Sequence, residues 1–84
     1  MIVYILITCV PGNEKDVISK IKLLPEVVEV NGVMGRYDIF IKVSADNPPK
    51  IDSAITKVRS IPNITSTFTM SAIYGQGGTI DEEK

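Results

Sequence analysis

The stretch of this 84-residue chain with the most distinctive chemistry is Val33-Met34-Gly35-Arg36-Tyr37-Asp38, where two opposite charges flank one tyrosine. A glycine lets backbone N–H groups approach a bound molecule closely, Asp38 offers a carboxylate to an ammonium, and Arg36 offers a two-pronged donor to a carboxylate. That set suits a zwitterion. The same residues also describe a plain polar turn, with Gly35 supplying unusual dihedrals and Asp38 bonding its own backbone. A second set is Thr65, Thr67 and Thr69, whose alternation puts hydroxyls along one face of an extended segment. Where such a face meets a subunit boundary, Thr67 and Thr69 can hydrogen-bond a polar ligand; otherwise threonine is simply favoured there by its β-branch.

Other chemistry is poorly provided for. The chain has no histidine and one cysteine, so Cys9 lacks the partners for a disulfide, a zinc site or an activated thiolate, and reads as a small apolar strand residue. No acid–base pair stands at a recognisable spacing, and no nucleophile is offered beyond Asp38 or Tyr37. We assign no catalytic residue, metal ligand or cofactor, and read the chain as a non-enzyme. Gly75-Gln76-Gly77-Gly78 is followed by neither a Lys-Ser/Thr pair nor a helix, so it reads as a linker rather than a phosphate loop. Nine basic against 10 acidic side chains, a net charge of −1, give no general field for a polyanion, and direct nucleic-acid binding is not expected. No apolar run reaches the roughly 20 residues of a membrane span, and Met1 leads into Ile2 without a basic flank, so a cytoplasmic protein is expected.

The elements that would hold these residues follow from periodicity. Ile2 to Val10 is apolar on both parities, the pattern of a strand covered on two faces. Pro11 and Gly12 end it, Asn13 is a helix N-cap, and Val17, Ile18, Ile21 and Leu24 recur at helical spacing until Pro25. Glu26 to Met34 forms a second strand carrying the turn pair Asn31-Gly32, and a third starts near Tyr37 and runs through Ile39, Ile41 and Val43. Asp46-Asn47-Pro48-Pro49 opens a helix with Ile51, Ala54, Ile55 and Val58 on one stripe, which Pro62 stops. Ile64 to Tyr74 alternates again as a fourth strand, with the threonines facing away from Ile64, Phe68, Met70 and Ala72. Residues 1–74 are thus read as one domain and 75–84, ending Asp81-Glu82-Glu83-Lys84, as a flexible acidic tail.

The two halves repeat. Ile21-x-x-Leu24-Pro25-Glu26-Val27 matches Val58-x-x-Ile61-Pro62-Asn63-Ile64 at an offset of 37. A duplicated βαβ unit interleaves into an α+β, ferredoxin-like βαββαβ fold, a four-stranded antiparallel sheet with both helices on one face. In the first strand both Ile2, Tyr4, Leu6 and Val3, Ile5, Ile7 are large and apolar, and in the third Phe40 has the opposite parity to Ile39 and Ile41, so the face away from the helices is apolar as well, and exposing each such side chain would forgo roughly 1.5–3 kcal/mol. A homodimer packed sheet to sheet is the expected remedy, and larger rings of dimers are compatible with it.

The layout, the Gly35-Arg36-Tyr37-Asp38 segment after a short second strand, the Pro62-Asn63-Ile64 entry to the fourth strand and its threonines together resemble the RAM domain of the Lrp/AsnC family of transcription regulators, over Ile2 to Tyr74. The resemblance implies an effector-binding module of the dimeric α+β barrel type that takes an amino acid at the subunit interface. It implies ligand-binding roles for Gly35, Tyr37, Asp38, Thr67 and Thr69, with Arg36 at the variable position. Asn63 departs from the family's usual glycine, a change expected to alter a turn. The family's DNA-binding helix-turn-helix does not precede Ile2, so a stand-alone module is expected, acting by joining oligomers of full-length Lrp/AsnC-type regulators or on other partners.

Two other classes share the element order. An RNA-recognition motif needs several aromatics on one sheet face and basic flanks, whereas Tyr37 and Phe40 differ in parity and Asp38 repels phosphate. A small dimeric α+β barrel enzyme acting on a metabolite remains the alternative, with a buried Asp38 as its base.

Overall fold

The computed structural model describes residues 1–80; the Asp81–Lys84 end of the expected acidic tail lies outside them. The chain runs β1 (Ile2–Cys9), α1 (Glu14–Ile21), β2 (Val27–Gly32), β3 (Ile39–Ser44), α2 (Pro48–Arg59) and β4 (Ile64–Ser71). The strands form one antiparallel sheet in the order β2-β3-β1-β4, so β1 and β3 are central while β2 and β4 are edges. This is the expected α+β arrangement.

Alternation divides the central strands cleanly. Val3, Ile5, Ile7 and Cys9 of β1 and Ile39, Ile41 and Val43 of β3 are buried, and they pack with Val17 and Ile21 of α1 and Ile51, Ala54 and Val58 of α2. Both helices therefore cover one side of the sheet, and the core is wholly apolar, with no buried polar residue among those described. The opposite side carries Ile2, Tyr4 and Leu6 from β1, Phe40 from β3, and Phe68 and Met70 from β4, which the register sets across from Leu6 and Tyr4. Tyr4 and Phe40 stack with ring centroids 5.7 Å apart. No element among the described residues shelters this side, and Phe68 retains 53% of its surface exposed.

The strands stop sooner than the apolar runs in the sequence. Asn31-Gly32, expected to turn, stays in the ladder opposite Phe40 and Ile39, which pushes the turn out to 33–38 and delays β3 from Tyr37 to Ile39. β1 ends at Cys9 rather than Val10, and β4 at Ser71 rather than Tyr74. Asn13 makes no side-chain cap on α1; instead Glu14 accepts a bond from the Gly12 N–H at 2.8 Å. At α2 the expected device is present, with Asn47 accepting from the Lys50 N–H at 3.0 Å and proline in the first turn.

The internal repeat is visible as a shared exit turn. The Leu24 N–H donates to Ile21 O at 3.0 Å after α1, and the Ile61 N–H donates to Val58 O at 3.1 Å after α2. Leu24 and Ile61 both lean on the core. The second copy adds Asn63 at φ 72, the left-handed region that a β-carbon disfavours, and its carbonyl accepts from the Val10 N–H at 2.8 Å. Asparagine tolerates this conformation better than most residues, so the departure from glycine is absorbed in the turn. Asn63→Ala should lower stability by about 1 kcal/mol while Asn63→Gly preserves or raises it. Urea unfolding midpoints would check this.

Candidate functional site at the 33–38 turn and the fourth strand

The turn between β2 and β3 is held by main-chain bonds at its base. The Val33 N–H donates to Asp38 O at 2.9 Å, and the Asp38 N–H donates to Ile7 O at 2.9 Å. Gly35 sits at φ 132, which a side chain would strain, although no atom crowds the place its β-carbon would take. Glycine here is thus needed for backbone shape. Met34 and Arg36 are exposed, Tyr37 and Asp38 half-buried, and Arg36 has no ion-pair partner among the described residues.

Asp38 has a definite structural duty. The β1–β3 ladder ends at the pair Ile7–Ile39, and beyond it the Cys9 N–H donates to Asp38 Oδ2 at 2.9 Å. The carboxylate thereby satisfies a main-chain donor past the last strand pair. This differs from the turn reading, in which the Asp38 side chain bonds its own backbone: the carboxylate reaches across to β1 instead. The Cys9 thiol is pushed above its ordinary pKa by burial first and by the neighbouring Asp38 and Glu14 charges second. A protonated buried thiol is a poor nucleophile, as expected for a strand residue.

The fourth strand is less regular than its sequence. A bulge sets Thr8 opposite Ser66 but Cys9 opposite Ile64, so Thr65 is the extra residue. The phase shifts there: Ile64 leans on the core, whereas Phe68 and Met70 lie on the uncovered side. The threonines are divided in the same way. Thr65 and Ser66 share a hydroxyl cluster with Thr8, the Thr8–Thr65 oxygens lying 2.8 Å apart. Thr67 and Thr69 pair with Ile7 and Ile5 and so take the helix side of the sheet, not the side left open for a partner. A face-to-face dimer does not by itself bring a second subunit onto them.

What the fold does bring together is the turn and this edge. Ile7 is flanked by Ile39 on one side and Thr67 on the other, so the residue after Asp38 and Thr67 are separated by two strand spacings, about 10 Å. Arg59, in the last turn of α2, joins the group by donating from Nε to Thr67 Oγ1 at 3.4 Å. Its position was not evident in the sequence, where it reads as one more basic residue near a helix end. Thr69 Oγ1 is buried without a hydrogen-bond partner. The broad groove at the other end of the sheet, lined by Met1, Ile2, Tyr4, Lys42 and residues 71–79, contains none of these side chains.

The chain is a split βαβ module with a glycine-bearing turn at one end of its sheet and hydroxyls along the β4 edge. Residues 2–74 match the model of the Lrp/AsnC ligand binding domain, and the chain belongs to that family. It is 31% identical over 70 residues to the HTH-type transcriptional regulator FL11 of Pyrococcus horikoshii, a match that covers 83% of this chain and 46% of the regulator. The chain thus spans about half the length of the curated relatives it matches. Among solved structures it resembles FFRP-DM1, at 40% identity and TM-score 0.81 over 86% of this chain and 97% of that one. It also resembles AsnC of E. coli, at 28% identity and TM-score 0.80 over 94% of this chain and 55% of that one. The chain is therefore a member of a ligand-binding domain family, and its relative FL11 is named a transcriptional regulator.

Asp38→Ala should cost roughly 1–3 kcal/mol, because it leaves the Cys9 N–H unsatisfied next to the core. Chemical denaturation would check this, with Asp38→Asn expected to recover part of the loss through its amide oxygen.

Proposed function

We propose that this chain is an amino-acid-binding regulatory module that pairs through the uncovered side of its sheet and modulates transcription regulators by altering oligomer assembly. The observation that carries the reading is the match of residues 2–74 to the Lrp/AsnC ligand binding domain, with the Asp38-bearing turn and Thr67 as candidate polar groups about 10 Å apart across β1. Asp38 supplies negative charge for an ammonium, the threonines supply hydroxyls, and Gly35 keeps the turn open to a ligand's approach. Tyr37 adds a half-buried aromatic wall, and the exposed Arg36 reaches outward toward solvent or a neighbouring subunit.

The separation of the two surfaces gives the mechanism its logic. The apolar side carrying Tyr4, Leu6, Phe40 and Phe68 is committed to a second copy, because only a like surface buries it symmetrically. Thr67 and Thr69 lie on the helix side, and the Gly35-to-Asp38 turn lies at the end of the sheet beyond the β1–β3 ladder. Occupation of the site therefore leaves the dimer intact and acts on contacts between dimers, through which a domain of this kind influences a full-length regulator. Full-length Lrp/AsnC-type regulators are the partners that this arrangement suits.

Two measurements test the proposal. The common amino acids, screened one by one at millimolar concentration, should include at least one that raises the melting temperature by mass action. Since Asp38→Ala also weakens the fold, Thr69→Val is the cleaner probe: losing an unpartnered buried hydroxyl should leave the ligand-free melting temperature unchanged or higher, yet reduce the ligand-induced shift. A screen without any shift would overturn the proposal. For the pairing surface, Phe68→Glu should yield a folded species of half the mass by light scattering, as it puts an unpaired carboxylate into the apolar contact on each subunit.

A further inference from the structure

We infer that residues 72–80 form an arm that packs against the second copy of the chain, so that each subunit of the pair clasps the other; this rests on the pairing of the uncovered side proposed above and names the segment that completes that contact. The arm leaves the end of β4 beside the first residue of β1. The Ala72 N–H donates to Ile2 O at 3.0 Å, and a turn follows in which the Gln76 N–H donates to Ile73 O at 3.1 Å. Gly75 and Gly77 sit at φ 84 and φ 90, a region open to glycine, so the chain bends there without steric cost. Main-chain bonds thus set the course of the arm while its apolar side chains are left bare: Tyr74 is 102% exposed, Ile80 70% and Ile73 64%. Residues 75–80 lie beyond the span matched by the family, so the shared fold does not account for them.

The position of the arm determines what it meets. A groove of about 1140 Å³ separates it from Ile2, Tyr4 and Lys42 on the uncovered side of the sheet. That exceeds the roughly 300–1,000 Å³ of pockets that enclose small ligands. Among the described residues lining the groove, Lys42 is the one charged side chain. An anionic partner would therefore find a single cation there and leave the isoleucines and the tyrosine unsheltered. Ile2 and Tyr4 belong to the same apolar side as Leu6, Phe40 and Phe68, so a body resting on that side lies within reach of the arm. A second copy is such a body. It brings its own arm, and the two-fold relation makes both contacts at once, each arm exchanging water for the other subunit's apolar surface.

The chain has no tryptophan, so Tyr74→Trp places a single fluorescent reporter on the arm. In the paired protein its emission should lie at shorter wavelength than in the variant that carries Phe68→Glu as well, where pairing is lost and the arm faces water. Chains ending at Ile80 and at Tyr74 separate the arm from the acidic residues after it. The first should pair as tightly as the full chain. The second should pair at least about ten-fold more weakly by sedimentation over a dilution series, the least that burying one large apolar side chain is worth. Circular dichroism should find both folded, because neither cut removes a core residue. Equal emission from the two tryptophan variants, or undiminished pairing of the chain ending at Tyr74, overturns the arm while leaving the pairing of the sheets in place. Weakened pairing already in the chain ending at Ile80 also overturns it, since the effect then belongs to residues 81–84. A full chain that stays single at micromolar concentration, or a Phe68→Glu chain that stays paired, overturns the pairing surface and the arm together.

Discussion

Everything in this domain depends on a sheet that is apolar on both sides while its helices cover only one. The central strand β1 places Val3, Ile5 and Ile7 under α1 and α2 and leaves Ile2, Tyr4 and Leu6 on the other side. In so small a domain the helix-side cluster is the whole of the core, and there is no third layer to absorb the remainder. The uncovered side is continuous, since Phe40 stacks on Tyr4 and Phe68 and Met70 extend the patch across β4. Charge is sparse there, with Lys42 beside Tyr4, so the surface suits a second apolar sheet better than water.

That constraint also determines where a ligand can be read. With one side given to the helices, and the other to a second copy under the proposal above, polar recognition falls to the rims. One rim is the end of the sheet where Asp38 closes the β1–β3 ladder; the other is the β4 edge, with Thr67 and Thr69 beneath the end of α2. The two rims are adjacent only because β1 is the single strand between them.

Asp38 illustrates how stability and recognition are tied together in such a site. Its carboxylate holds the Cys9 N–H beside the point where β4 bulges against β1, and its own N–H and carbonyl tie the turn to Ile7 and Val33. Substitution there disturbs the fold as well as any bound molecule. Thr69 is the converse, a hydroxyl that the ligand-free domain bears at a cost, so its removal separates the two effects.

The element order, the duplicated unit, the split of Phe40 from Ile39 and Ile41, and the excess of apolar surface were all legible in the sequence, because they follow from local periodicity and from counting apolar faces. Three features were not. The turn pair Asn31-Gly32 stayed in the ladder, since pairing with Ile39 and Phe40 outweighed a local turn preference. The hydroxyl pattern of β4 was read as one continuous face, but the bulge at Thr65 divides it, and a one-residue insertion against a neighbouring strand leaves no mark in a single strand's alternation. Arg59 acquired its contact with Thr67 only when α2 was laid across β4. The chain alone determined what each segment is, because helix and strand periods are local. Which rim residues meet was decided by register and by the packing of α2, because those contacts join residues distant in sequence and depend on how neighbouring strands are aligned.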